Sequence, residues 1–279
     1  MYRKLTNTVW KWASALYLAG IVVFLLAPFV WTILTSLKPE TEIVTKNMRI
    51  LPVHWTLDNY KSLFGVLSFG KYFRNSIIVS LSTAMVSLIL SNTAAYAISR
   101  FRFKGRRSVM LMLLTLNMFP VVLLLIPLFI IFRQLHLLDS YLSLIIAYST
   151  YAIPFSVWML TGYLNSIPQE LEEAAMVDGC SRFRAYISVI LPAARPGLIA
   201  TFIYIFIYSW NEFLFALTFI QSADTRTLPV GIQTLIGQYT LSWGLLTAGG
   251  IFSSIPVIIM FSFIQKHMVK GLTAGAVKG

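Results

Sequence analysis

Residues able to do chemistry are few in this chain. Its 279 residues include only 10 acids, three histidines and one cysteine. His54, His136 and His267 lie in separate segments, with no H-E-x-x-H run and no Cys–His cluster, so neither a zinc site nor a nucleophilic triad is indicated. No G-x4-G-K-[ST] run is present to cradle a phosphate. No catalytic residue, no metal ligand and no cofactor bound by this chain is therefore expected, and the lone Cys180 excludes an intramolecular disulfide. Two sets of acids remain to be explained. Glu212 stands inside a long apolar run beside Trp210 and Asn211. A carboxylate at the centre of a membrane helix costs about 2.5–3.5 kcal/mol, so it faces a cavity or a partner. An indole and an amide beside it suit a hydroxyl-rich solute passing along a pathway, and a buried network joining two helices is an equal reading. The second set is Glu170, Glu172, Glu173 and Asp178, gathered in one polar loop.

The elements that position these acids follow from composition. Hydrophobic residues make up 57% of the chain and charged residues 11%, about half the charged share usual for soluble domains. No charge occurs from Trp12 to Leu37, Asn75 to Ser99, Ser108 to Phe132 or Ser140 to Gln169, and two further apolar runs follow. A helix needs about 20 residues to cross the hydrocarbon core. The reading is a single all-α, polytopic membrane domain over 1–279, with six spans near 12–37, 75–99, 108–132, 141–164, 198–220 and 241–264. Continuous rather than alternating apolar character rules against a β-barrel. Prolines 28, 120, 127, 154 and 256 fall inside spans, where membrane helices tolerate kinks.

Charge sets the orientation. With both termini cytoplasmic, the inner segments 1–13, 100–107, 165–197 and 265–279 hold 14 of the 22 basic residues and 4 of the 10 acids. Arg100, Arg102, Lys104, Arg106 and Arg107 fill one short inner loop, as the positive-inside rule requires. The net charge of +12 is thereby accounted for without nucleic acid, and a lipid environment is implied.

The inner loop 165–197 carries the most information. Ser166 and Gln169 fit a capping box, Pro168 suits a first helical turn, and the three glutamates complement the helix dipole. Gly179 is placed to end that helix, of about three turns. Ser181 can cap a second one, running toward Leu191 and halted by Pro192. A rigid elbow of this kind suits docking to a soluble partner; an ordinary interfacial loop is the alternative.

Glu173-Ala174-Ala175, Gly179 and Val189-Ile190-Leu191-Pro192 are spaced as E-A-A-x3-G-x9-I-x-L-P, with Val189 where isoleucine is usual. The run resembles the EAA loop of permease subunits of bacterial binding-protein-dependent ABC importers. Trp210-Asn211-Glu212-Phe213, Asp58-Asn59-Tyr60 and the tail Gly271–Gly279 are similar to the carbohydrate, MalG-like branch. The resemblance implies a location in the bacterial inner membrane and a coupling loop of Glu172, Glu173, Ala174, Ala175, Asp178, Gly179, Leu191 and Pro192. Glu173 would pair with a basic residue of the ATPase, while Ala174, Ala175 and Gly179 allow close helix packing. It further implies a second homologous permease, an ATP-binding subunit dimer holding ATP and Mg, an external solute-binding protein and a sugar substrate, with Trp210, Asn211 and Glu212 on its path. A permease for another solute class is the alternative. A secondary carrier is the rival class, and it would be expected to show internal repeats and a coupling-ion site, neither of which is visible here.

Overall fold

The computed structural model describes residues 2–46, 49–65, 68–236 and 242–275, with side chains from residue 10 to 263 among them. Residues 237–241, between the expected fifth and sixth spans, and 276–279 of the tail motif lie outside the described residues. The described chain is helical: α1 Tyr2–Ser36, α2 Glu40–Ile43, α3 Asp58–Gly65, α4 Phe69–Arg100, α5 Arg106–Met118, α6 Val122–Gln134 and α7 Tyr141–Asn165. Then come α8 Glu170–Val177, α9 Arg182–Ala185, a π-helical turn Tyr186–Ile190, α10 Leu191–Ala193, α11 Arg195–Asn211, α12 Leu214–Phe219, α13 Leu228–Gln233 and α14 Trp243–Gly275. Among the described residues, four helices are long and apolar enough to cross a membrane, and the count reaches six if two sharply bent pairs, 106–118 with 122–134 and 182–193 with 195–211, each form one span.

The first of these bends revises the expected third span. The run 108–132 is two helices, α5 and α6, meeting at 96°. Pro120 causes the break. It pushes Phe119 to extended backbone (φ −73°, ψ 127°) and cannot donate to the preceding turn. Pro28, Pro127, Pro154 and Pro256 are instead carried inside helices. The run 198–220 is interrupted as well, because α11 stops at Asn211 and α12 starts at Leu214.

The chain divides into two compact units. The first comprises Met1–Phe69 with Ile232–Ser254. Here Asn59 explains its place in the Asp58-Asn59-Tyr60 run: its amide donates to the carbonyls of Ser36 and Lys38, both at 2.8 Å, at the end of α1. Glu40 caps the start of α14 by accepting from the backbone N–H groups of Trp243 (3.0 Å) and Gly244 (3.1 Å). The apolar side chains of α1 that are described are mostly exposed from Trp10 to Trp31.

The second unit comprises Gly70–Gly231 with Ile255–Gly279. Along α4, Ser76, Ser80, Thr83, Ser87 and Ser91 are all buried, a stripe of small residues that lets helices approach closely. The Ser87 hydroxyl donates to that of Ser149 on α7 at 2.9 Å. Gly197 on α11 sits so close to α7 that an added Cβ would stand 2.6 Å from the Tyr163 ring. Two cores result. One gathers Phe132, Tyr148, Phe215 and Phe219 around α6, α7 and α12. The other gathers Ala95, Ile98, Leu160, Leu164, Ile190 and Ala194, seating the loop after α7 against α4 and α7.

Candidate functional site

The loop 165–197 folds as an elbow of two helical arms. Its first arm, α8, has eight residues, shorter than the expected three turns. Ser166 does not cap it. That residue ends α7, and its hydroxyl donates to the Tyr163 carbonyl at 2.7 Å, while Gln169 holds the N-cap position without a side-chain bond. The bend is made as expected by Gly179, with φ at +89°, a region costly for residues bearing a Cβ. Around it the N–H groups of Asp178, Gly179 and Cys180 donate back to Ala174, Met176 and Ala175. Ser181 caps the second arm, its hydroxyl accepting from the Arg184 N–H at 3.3 Å.

Pro192 does not halt this second arm, which continues to Ala193. Proline lacks an N–H, and its ring crowds the carbonyl four residues back. The preceding turn widens to a π-helix, with the Leu191 N–H donating to the Tyr186 carbonyl five residues back, which accommodates the ring. The chain then turns at Ala194 into α11, bent by 75° from the arm before it.

Polar side chains of α4 hold both arms. Arg100 Nε stands 3.2 Å from Glu172 Oε2, a charge contact rather than an aligned hydrogen bond, with the two side chains only 4% and 5% exposed. Tyr96 Oη donates to Glu172 Oε1 at 2.5 Å, and Arg100 Nη2 donates to the Ile167 carbonyl at 3.2 Å. On the second arm, the Asn92 amide donates to the Tyr186 hydroxyl. Ser99 Oγ donates to Asn165 Oδ1 at 2.9 Å where α7 ends. Asn92, Tyr96 and Arg100 recur every fourth residue and so share a helix face. Sequence reasoning missed all three as site residues, reading Arg100 only as one of the basic loop charges. The available signal was an amide, a phenol and a guanidinium four residues apart at the end of a span whose other polar residues are mostly small hydroxyls.

The expected coupling residues separate into two groups. Glu172 is buried and spent within the chain. Glu173, Ala174, Asp178, Gly179 and Pro192 are exposed, whereas Ala175 and Leu191 are half-buried. The space around Gly179 is open, with nothing within 4 Å of an added Cβ, so within this chain its freedom serves the bend rather than close packing. Apolar side chains are exposed on both arms, Val177 at 87% and Phe183 at 72%.

Trp210, Asn211 and Glu212 also part company. Trp210 is buried, stacked on Phe206 and edge-on to Phe73. Glu212 does not sit mid-helix. It occupies extended backbone after α11 (φ −70°, ψ 130°) and accepts from the N–H groups of Phe215 (3.0 Å) and Ala216 (3.3 Å), capping α12. The exposed Asn211 lies on a cavity of about 570 Å³, with Tyr204, Tyr208 and Phe213 among its walls.

Residues 87–274 match the family described as the binding-protein-dependent transport system inner membrane component. The chain is 39% identical over 268 residues to the inner membrane ABC transporter permease protein YcjP of Escherichia coli (strain K12), covering 94% of this chain and 96% of the relative. It is 37% identical to the trehalose/maltose transport system permease protein MalG of Thermococcus litoralis, covering 95% of each chain. It is 35% identical over its full length to the diacetylchitobiose uptake system permease protein DasC of Streptomyces coelicolor. Among solved structures, a bacterial ABC transporter that imports the acidic polysaccharide alginate shares the fold, with a TM-score of 0.80 at 23% identity, covering 94% of this chain and 97% of that one. The elbow and the EAA spacing both lie within the matched segment, and the chain belongs to the family of binding-protein-dependent transport system inner membrane components.

Proposed function

We propose that this permease subunit imports a sugar or oligosaccharide, and that the exposed end of its elbow is the surface through which ATP hydrolysis drives it. The carbohydrate names carried by the relatives support the substrate class. The single observation behind the coupling role is that the elbow presents an exposed carboxylate, Glu173, one turn before the exposed Val177, with Phe183 exposed on the second arm. Apolar anchors with a charge beside them are what a soluble subunit can grip. In this reading ATP and Mg belong to a dimer of ATP-binding subunits. A second permease completes the path, an external binding protein delivers the sugar, and both termini face the cytoplasm. Closure of the ATPase pair pushes the elbow and reorients the membrane helices between their two access states.

Asn211 is the path residue best supported, because it borders the cavity; Trp210 is withdrawn from that role and Glu212 borders the cavity while its carboxylate serves α12. Glu173→Lys, assembled with its partners, is expected to abolish binding-protein-stimulated ATP hydrolysis and uptake while the chain still inserts. Normal values for both would remove the elbow from coupling. Cysteines introduced at 41–46 or 222–226 should be labelled from outside, and ones at 102–104 should not. The reverse pattern would invert the orientation.

A further inference from the structure

The E-A-A spacing contains one glutamate, matched here by Glu173, and the resemblance places Glu172 in the same loop without giving it a contact of its own. Glu172 is buried at the centre of a three-sided contact with Arg100 and Tyr96 of α4. We propose that Glu172 is a positioning residue that locks the elbow to α4, so that force applied to the elbow moves α4 with it as one body. The inference rests on the elbow being the coupling element.

Three observations carry it. The contact joins residues far apart in sequence, 76 positions for Tyr96 and Glu172, so it links two elements rather than trimming a local turn. It is matched on the other arm by Asn92 and Tyr186, 94 positions apart, so α4 holds the elbow on both sides of the Gly179 bend. The Arg100 guanidinium also binds the Ile167 carbonyl, which fixes the chain leading into α8.

Burial decides what this arrangement does. An exposed ion pair is screened and yields under load. A pair with both side chains about 95% buried is not screened, and separating it leaves two charges out of water. Such pairs add little net stability over apolar packing, but they admit one register only. A push on α8 therefore cannot slide it along α4 unless the charges part. Glu173, exposed one residue later, is left for the partner. Two adjacent acids thus divide the work, one facing out to receive the stroke and one facing in to pass it on.

The test uses the whole complex in proteoliposomes, with its ATPase, companion permease, binding protein and transported sugar. Glu172→Gln keeps the shape and removes the charge. The expected result is about a tenfold rise in ATP hydrolysed per sugar imported, the factor set by losing one charged hydrogen-bonded contact. Spin labels at Thr93→Cys and Gln169→Cys, in a Cys180→Ser background, should hold one distance with and without trapped nucleotide in the parent and spread or shift between those states in Glu172→Gln. Tyr96→Phe should raise the ratio less, and the swap Glu172→Arg/Arg100→Glu should bring it back toward the parent. An assembled Glu172→Gln complex with the parental ratio and a single distance overturns the proposal. If that variant fails to assemble, Tyr96→Phe decides: a parental ratio overturns the lock, a raised one supports it. Loss of coupling in Glu173→Lys alongside a parental Glu172→Gln would reject the lock and leave the elbow reading standing.

Discussion

Glu172 and Glu212 are both acids at helix interruptions in an apolar chain, yet they are neutralised in different ways. Glu212 accepts from backbone N–H groups three and four residues ahead, so its backbone partners come with its own segment, although the Tyr148 hydroxyl of α7 also faces it. Glu172 is met by a guanidinium and a phenol from another helix, so its partners exist only once the elbow and α4 are packed together. The first acid shapes a local break. The second ties distant parts of the chain. An acid in a membrane protein thus need not be a ligand for a solute, and the range of its partners indicates which role it holds.

The sharpest way to break this contrast is to remove one partner from each acid. Arg100→Met leaves Glu172 buried without a counter-charge and should destabilise by about 3–5 kcal/mol, whereas the double variant Arg100→Met/Glu172→Met should recover much of that loss. Thermal unfolding of the purified protein in detergent measures both. Equal losses in the single and double variants would show that the charges do not sense each other.

Glu212→Ala should cost less, about 0.5–2 kcal/mol, since it removes a cap but strands no charge. Melting temperature and sugar uptake should be recorded together. A lowered melting point with normal uptake is the result expected of a cap. An unchanged melting point with reduced uptake would return Glu212 to the solute path.

Gly179→Ala tests the bend with the surrounding space held constant. Because nothing crowds that position, the penalty should be backbone strain alone, about 1–2 kcal/mol. Proteolytic nicking at the elbow, or a lower melting point, would report it; no change would mean that the bend tolerates a side chain.

The smallest effect concerns acid. Burial pushes the Asp139 carboxyl up, but the Ser222 N–H, the Thr225 hydroxyl and the Gln221 N–H outweigh it and hold Asp139 below the usual carboxylate range. A depressed folded value means that its stabilisation is present above the usual range and is lost as pH falls through the depressed value. Parent protein should therefore lose stability on acidification more steeply than Asp139→Asn. Parallel melting curves from neutral pH into the acid range would contradict this.

Much of the elbow is legible in its own residues. The Gly179 bend and the Ser181 cap follow from short-range sterics and hydrogen bonding, which depend on residues within a turn of one another. The Ser166 capping box failed because α7 claims that hydroxyl first, a competition invisible to a local pattern. Pro192 failed as a stop because a π turn absorbs it. Composition and charge spacing alone determined that the chain is a membrane-spanning helical protein with a polar loop at 165–197, since those properties are set by what each segment can bury. The identities of the broken spans, the withdrawal of Trp210 into the core and the choice of Glu172 over Glu173 for the inward contact were decided by tertiary structure. Two adjacent glutamates have the same chemistry, and only the helix that packs against them determines which one is buried.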